Sequence, residues 1–106
     1  MNTLKELIKT LEKRKNEDPN TSYTSYLLNE GIEECGKKFG EESIELIIAS
    51  LNNKKNVKNE AADVLYHLIV LLMSVEVEFD EVLKIIKKRF GTSGIEEKKS
   101  RYKSKL

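Results

Sequence analysis

The sequence predicts an all-α protein, a bundle of four to five helices assembled as a homodimer. Three observations lead there. Helix breakers and bulky aromatics are scarce, with one Pro, five Gly and no Trp, in a chain rich in the helix formers Leu, Ile, Lys and Glu. Apolar residues recur at helical spacing along the chain. One predicted helix is apolar on nearly every side, more surface than a 106-residue chain can cover alone, so a second copy is expected.

Length allows one domain over 1–106, with a core at 22–90 and a basic C-terminal tail at 91–106. Hydrophobic residues at 39% are too many for a disordered chain. Basic and acidic residues nearly cancel, 19 against 18, which leaves no whole-protein field to attract nucleic acid or an acidic membrane. A single Cys cannot form an internal disulfide. With no leader-like start, that fits a cytoplasmic protein. The longest apolar run, Val64 to Val75, is interrupted by Tyr66, His67 and Ser74 and falls short of the ~20 residues a membrane helix takes.

The first helix opens at Thr3, with Glu6 as the second member of a capping box. Leu4, Leu7, Ile8 and Leu11 follow at i, i+3, i+4 and i+7. The polar stretch Lys15 to Thr21, which holds Pro19, is a connection. Helical pattern resumes near Ser22–Tyr23 and runs to about Leu51, weakened at Gly31 and Gly40 and open to a kink at Gly31. Asn52 to Asn56 is a polar turn, and the strongly apolar helix occupies about Val57 to Val75. Glu78–Asp80 is a turn with Asp80 as the expected N-cap of the next helix, which carries Val82, Leu83, Ile85, Ile86 and Phe90 and stops at Gly91. Ser93 and Glu96 have the spacing of a second capping box.

Two acidic pairs carry the chemistry. Glu42 and Glu45 lie about 60° apart around a helix of ~3.6 residues per turn, and so share a face with Lys38 and Ala49. Glu60 and Asp63 repeat the spacing on the next helix, with Val64, His67 and Leu71 on their face. Because that helix is apolar nearly all round, its two acids are expected to point into the bundle rather than to water. Four carboxylates facing one another across a short turn would repel, and burying an unpaired charge costs several kcal/mol, roughly. Either some of them take up protons, or divalent cations neutralise them. Oxygen-only ligands select hard ions such as Mg²⁺ or Mn²⁺, and protein Mg²⁺ sites usually pair carboxylates with substrate phosphates. The bland alternative is a solvated face, the usual fate of Glu on a Lys/Glu-rich helix.

The order Glu42-x-x-Glu45, positions 46–59, Glu60-x-x-Asp63 resembles the signature of the all-α nucleoside triphosphate pyrophosphohydrolases, the MazG-like superfamily. Within it, the chain resembles the phosphoribosyl-ATP pyrophosphohydrolase family over about residues 22–101. Ser22-Tyr23-Thr24 with Leu27, Leu28 and Gly31 is similar to that family's start, and Lys38-x-Gly40-Glu41-Glu42-x-x-Glu45 to its first motif. Glu60-Ala61-Ala62-Asp63-x-Leu65-Tyr66-His67-Leu68 is similar to its second, and Gly91-x-Ser93-Gly94-Ile95-Glu96-Glu97-Lys98 with Arg101 to its C-terminal signature. The acidic motif is shared across the superfamily; the Tyr-His extension and the tail narrow it. Cys35 and Lys99 depart from the pattern without touching a motif, and the absence of a cyclohydrolase domain suggests a stand-alone form.

The resemblance implies Mg²⁺-dependent cleavage of the α–β phosphoanhydride of phosphoribosyl-ATP, giving phosphoribosyl-AMP and pyrophosphate in L-histidine biosynthesis, by a homodimer. It assigns Glu42, Glu45, Glu60 and Asp63 as metal ligands. Glu41, Glu42 and Glu45 are the catalytic carboxylates, with Glu41 either orienting water or simply exposed. Lys38, Tyr23, Thr24, His67, Lys98 and Arg101 are the expected substrate contacts. For each there is a structural alternative: a surface pair with Glu41 or Glu42 for Lys38, a helix start for Tyr23 and Thr24, a core imidazole for His67, a solvated tail for Lys98 and Arg101. Tyr66 projects about 100° from its neighbour and is expected in packing. A house-cleaning pyrophosphohydrolase of the same fold and a non-catalytic helical dimerisation module are the rival functions.

Overall fold

The computed structural model describes residues 2–52, 54–91, 94–95, 98–99 and 101. Among the described residues, five helices follow one another: α1 (Thr3–Arg14), α2 (Tyr23–Glu30), α3 (Ile32–Asn52), α4 (Val57–Ser74) and α5 (Phe79–Lys88), with a 3₁₀ turn at Lys54–Asn56. The all-α reading holds. Among the described residues no helix is long and apolar enough to cross a membrane.

The start of α1 lies one residue earlier than the sequence suggests. Asn2 rather than Thr3 is the N-cap, its Oδ1 accepting from the Lys5 N–H at 3.2 Å, and asparagine is at least as good a cap as threonine. Similarly α5 is capped at Glu78 rather than Asp80. Glu78 has extended backbone, and its N–H donates to the Glu81 carboxylate at 3.4 Å. The expected Ser93–Glu96 box lies outside the described residues.

The expected helix from Tyr23 to Leu51 is broken, not kinked. Gly31 takes φ +100° and ψ −176°, a region that essentially only glycine occupies, and it separates α2 from α3. Ser22 caps α2 by accepting from the Ser25 N–H at 3.1 Å. The buried Ser25 hydroxyl donates to the Glu17 carbonyl at 2.6 Å, tying α2 to the connection before it. A buried hydroxyl so bonded avoids the desolvation cost of an unpaired polar group.

The core comprises Leu11, Leu27, Cys35, Ile69, Val70 and Phe79, joined by partly buried Leu4, Leu7, Ile8, Leu28 and Leu68. The Cys35 thiol donates to the Leu27 carbonyl, bridging α2 and α3. The principal pairing is α3 against α4, because the 3₁₀ turn folds α4 straight back along α3. That antiparallel return brings the Glu42/Glu45 face of α3 beside the Glu60/Asp63 face of α4.

A single chain leaves much apolar surface uncovered. Ile44, Ile47, Ile48 and Leu51 form an exposed stripe on α3, and Leu65 on α4 is also exposed. On α5, Leu83, Ile85 and Ile86 are exposed, as is Phe90 beyond it; Phe79 alone of the helix is buried in the core.

Candidate active site

One ligand oxygen from each of Glu42, Glu60 and Asp63 falls within 4.8 Å of the others. Glu42 comes from α3 and the other two from α4, as the matched spacing predicts. The expectation of a dry interior needs correction: Glu42 and Glu60 are half-buried, but Asp63 and Glu45 are exposed. Glu45 and Glu60 line an open groove between α3 and α4, with Ile48, Ala49, Asn52 and Asn56, and Glu42 and Asp63 stand about one turn further along the same two helices.

The crowding has an electrostatic signature. Partial burial, then the neighbouring Glu45 carboxyl, then the Asp63 and Glu60 charges hold the proton of Glu42 above the usual carboxylate range. Glu60 is pushed the same way by burial first and by Glu45 and Asp63 next. Glu60 Oε2 is buried with no hydrogen-bond partner. Such an oxygen calls for a proton or a cation. An all-oxygen donor set with one orphaned buried atom suits a hard divalent cation.

His67, on α4, is 5% exposed. Its Nε2 lies 3.9 Å from Glu42 Oε1, and its Nδ1 has no hydrogen-bond partner. Burial holds the imidazole below its ordinary proton affinity, against the pull of Asp63. Two phenol rings meet it edge-on: Tyr66 at 4.9 Å and 84°, and Tyr23 at 6.0 Å and 86°. Tyr23 and Tyr66 are stacked nearly parallel, 6.3 Å apart.

The remaining expected site residues fall in distinct places. Tyr23 is half-exposed at the first position of α2, where its phenol feels the Lys38 and Glu42 charges. Thr24 is buried, and its hydroxyl shares a hydrogen bond with the Tyr66 hydroxyl at 2.6 Å; it does not present that group to an incoming ligand. Lys38 pairs with Glu41 at 3.5 Å, which raises the ammonium's proton affinity. Lys98 and Arg101 are exposed in the C-terminal segment. The role of Tyr66 as the link between Thr24 and His67 had no sequence signal beyond its place beside His67.

The phosphoribosyl-ATP pyrophosphohydrolase family model matches residues 4–90. The chain belongs to this family. It is 50% identical over 102 residues to the phosphoribosyl-ATP pyrophosphatase of Rhodobacter capsulatus, covering 95% of this chain and 99% of that protein. To the phosphoribosyl-ATP pyrophosphatase of Roseobacter denitrificans it is 45% identical over 103 residues, covering 96% and 98%. The matched family span takes in all four carboxylates and the α2 tyrosines, while Lys98 and Arg101 lie beyond it.

Proposed function

We propose that the chain hydrolyses the α–β phosphoanhydride of phosphoribosyl-ATP to phosphoribosyl-AMP and pyrophosphate, a step of L-histidine biosynthesis in the cytoplasm. The observation that carries this reading is the convergence of Glu42, Glu60 and Asp63 from two helices within 4.8 Å, in a chain of the phosphoribosyl-ATP pyrophosphohydrolase family.

Glu42, Glu60 and Asp63 hold Mg²⁺, or Mn²⁺, with Glu45 alongside Glu42 and Glu60 as the fourth ligand. When bound, the cation supplies positive charge that neutralises the acids, polarises phosphoryl oxygens and lowers the pKa of water. Glu41, at the rim of the same face, orients water with Glu42 and Glu45. Lys38, held by Glu41 at the groove edge, offers its ammonium to a substrate phosphate. Tyr23 flanks the substrate, and His67 stands behind Glu42 to meet it. Lys98 and Arg101 contribute cations to the ribose phosphate. The exposed stripe Ile44, Ile47, Ile48 and Leu51 is the surface on which a second copy packs, giving the homodimer.

The test is pyrophosphate release from phosphoribosyl-ATP beside a panel of ordinary and modified nucleoside triphosphates, with and without Mg²⁺. Preferred turnover of phosphoribosyl-ATP is expected. Equal or better turnover of an ordinary deoxynucleotide would reassign the chain to nucleotide-pool cleansing.

A further inference from the structure

The sole imidazole of the chain stands beside the carboxylates of the groove. His67 Nδ1 has no partner, and 3.9 Å from Nε2 to Glu42 is too long for a direct bond. Rotation about the last side-chain torsion of histidine has broad, roughly two-fold minima, so the packing around the ring bears on which edge faces Glu42. That packing is specific. The imidazole stands perpendicular to two nearly parallel phenol rings, and the nearer of them is Tyr66. Edge-to-face contacts of this kind carry a directional preference beyond buried area.

Tyr66 is itself fixed by a polar contact of high sequence separation. Its hydroxyl meets that of Thr24, 2.6 Å away across the α2–α4 boundary. Thr24 is 2% exposed, on a helix whose neighbouring Ser22 and Ser25 are buried and bonded. The chain of contacts Thr24, Tyr66, His67, Glu42 therefore crosses α2, α4 and α3 and ends on a carboxylate of the groove.

We propose that Tyr66 is a positioning residue, anchored by the Thr24 hydroxyl, which sets the His67 imidazole against Glu42. It touches neither substrate nor metal. The proposal rests on the functional reading above for its kinetic consequence, but not for its structural one, and the experiment separates them. Because the chain has one His, the imidazole C–H resonances in a carbon-13 NMR spectrum are unambiguous and report ring orientation without turnover.

Tyr66→Phe removes only the hydroxyl, Thr24→Val replaces the partner by an isostere, and Thr24→Ser keeps the hydroxyl. Ile8→Val, a core change remote from the groove, controls for lost stability. Both Tyr66→Phe and Thr24→Val should shift or broaden the His67 resonances. Each should lower kcat on phosphoribosyl-ATP by about 3- to 10-fold with KM little changed, the range one positioning hydrogen bond governs. The double variant should be no worse than either single one, and Thr24→Ser should restore both readouts. Unmoved His67 resonances in Tyr66→Phe and Thr24→Val would overturn the proposal. So would Ile8→Val reproducing the shift and rate loss. Wild-type protein without turnover of phosphoribosyl-ATP would overturn the functional reading alone, since the resonance comparison still decides the role of Tyr66.

Discussion

Glu42 on α3 and His67 on α4 approach to 3.9 Å, carboxylate oxygen to Nε2. The contact joins the two halves of the groove at the point where a buried, proton-reluctant imidazole meets a carboxylate with an elevated proton affinity. Neither group is at its ordinary value, and the groove is built from that tension. Relief by a divalent cation, rather than by permanent protonation, leads to the following expectations.

Glu42→Gln keeps the shape of the side chain and removes its charge. Partners that merely orient a metal ligand cost up to about 100-fold when changed, and Glu42 as a ligand should exceed that. Hydrolysis should fall by more than this factor while the far-ultraviolet circular dichroism stays that of wild type. A near-wild-type rate would remove Glu42 from the ligand set.

Mg²⁺ should raise the melting midpoint by binding the folded chain. At 100 times its dissociation constant, a ligand that binds only the folded state adds about 2.7 kcal/mol. The comparison is thermal unfolding in chelator against a Mg²⁺ series, with the shift lost in Glu60→Gln. No shift at saturating Mg²⁺ would mean that proton uptake alone relieves the crowding.

The pH dependence has two opposing parts. Glu60 and Glu42 have folded-state affinities raised by burial and by neighbouring acids. Their favourable contribution is present below the ordinary glutamate value of about 4.3 and is lost as pH rises through the raised folded values. His67 is lowered by burial, so its contribution is present above about 6.5 and is lost as pH falls through its folded value. In chelator, Glu60→Gln should therefore gain melting temperature over wild type as pH rises from about 4.3 towards neutrality. A gap that does not grow with pH would show that Glu60 is not crowded.

Glycine substitutions should separate the break from the helix that follows it. Gly31→Ala meets no steric neighbour, so its cost is conformational, about 1–3 kcal/mol for a side chain at such a backbone angle. Gly36→Ala, inside α3, makes only an ordinary contact with Leu71 at 3.9 Å and should gain about 0.5–1 kcal/mol from helix propensity. Denaturant unfolding of the two variants reads the opposite signs directly.

Ile47→Asp places a charge in the middle of the exposed α3 stripe. Sedimentation should find the wild type dimeric and this variant monomeric. A variant that remains dimeric would move the interface off this face.

Much of this architecture was legible beforehand because helix period and acid spacing are local. The pairing of Glu42 with Glu60 and Asp63 follows from two i, i+3 pairs on either side of a short turn. The caps were displaced, to Asn2 and Glu78, because several neighbouring residues can cap and backbone geometry decides among them. The depth of Asp63 was overstated because an apolar helix says it needs covering, not that its own chain supplies the cover. Thr24 and Tyr66, 2.6 Å apart but distant in sequence, form a tertiary contact that no periodicity encodes.

Gly31 also leaves the joint between α2 and α3 without slack. With a single residue between the two helices, Tyr23 and Thr24 are geared to the acids of α3: adding or deleting one residue there would swing the tyrosine shoulder around its axis by a fraction of a turn. At this hinge even one residue more or less would uncouple the aromatic wall from the acidic floor.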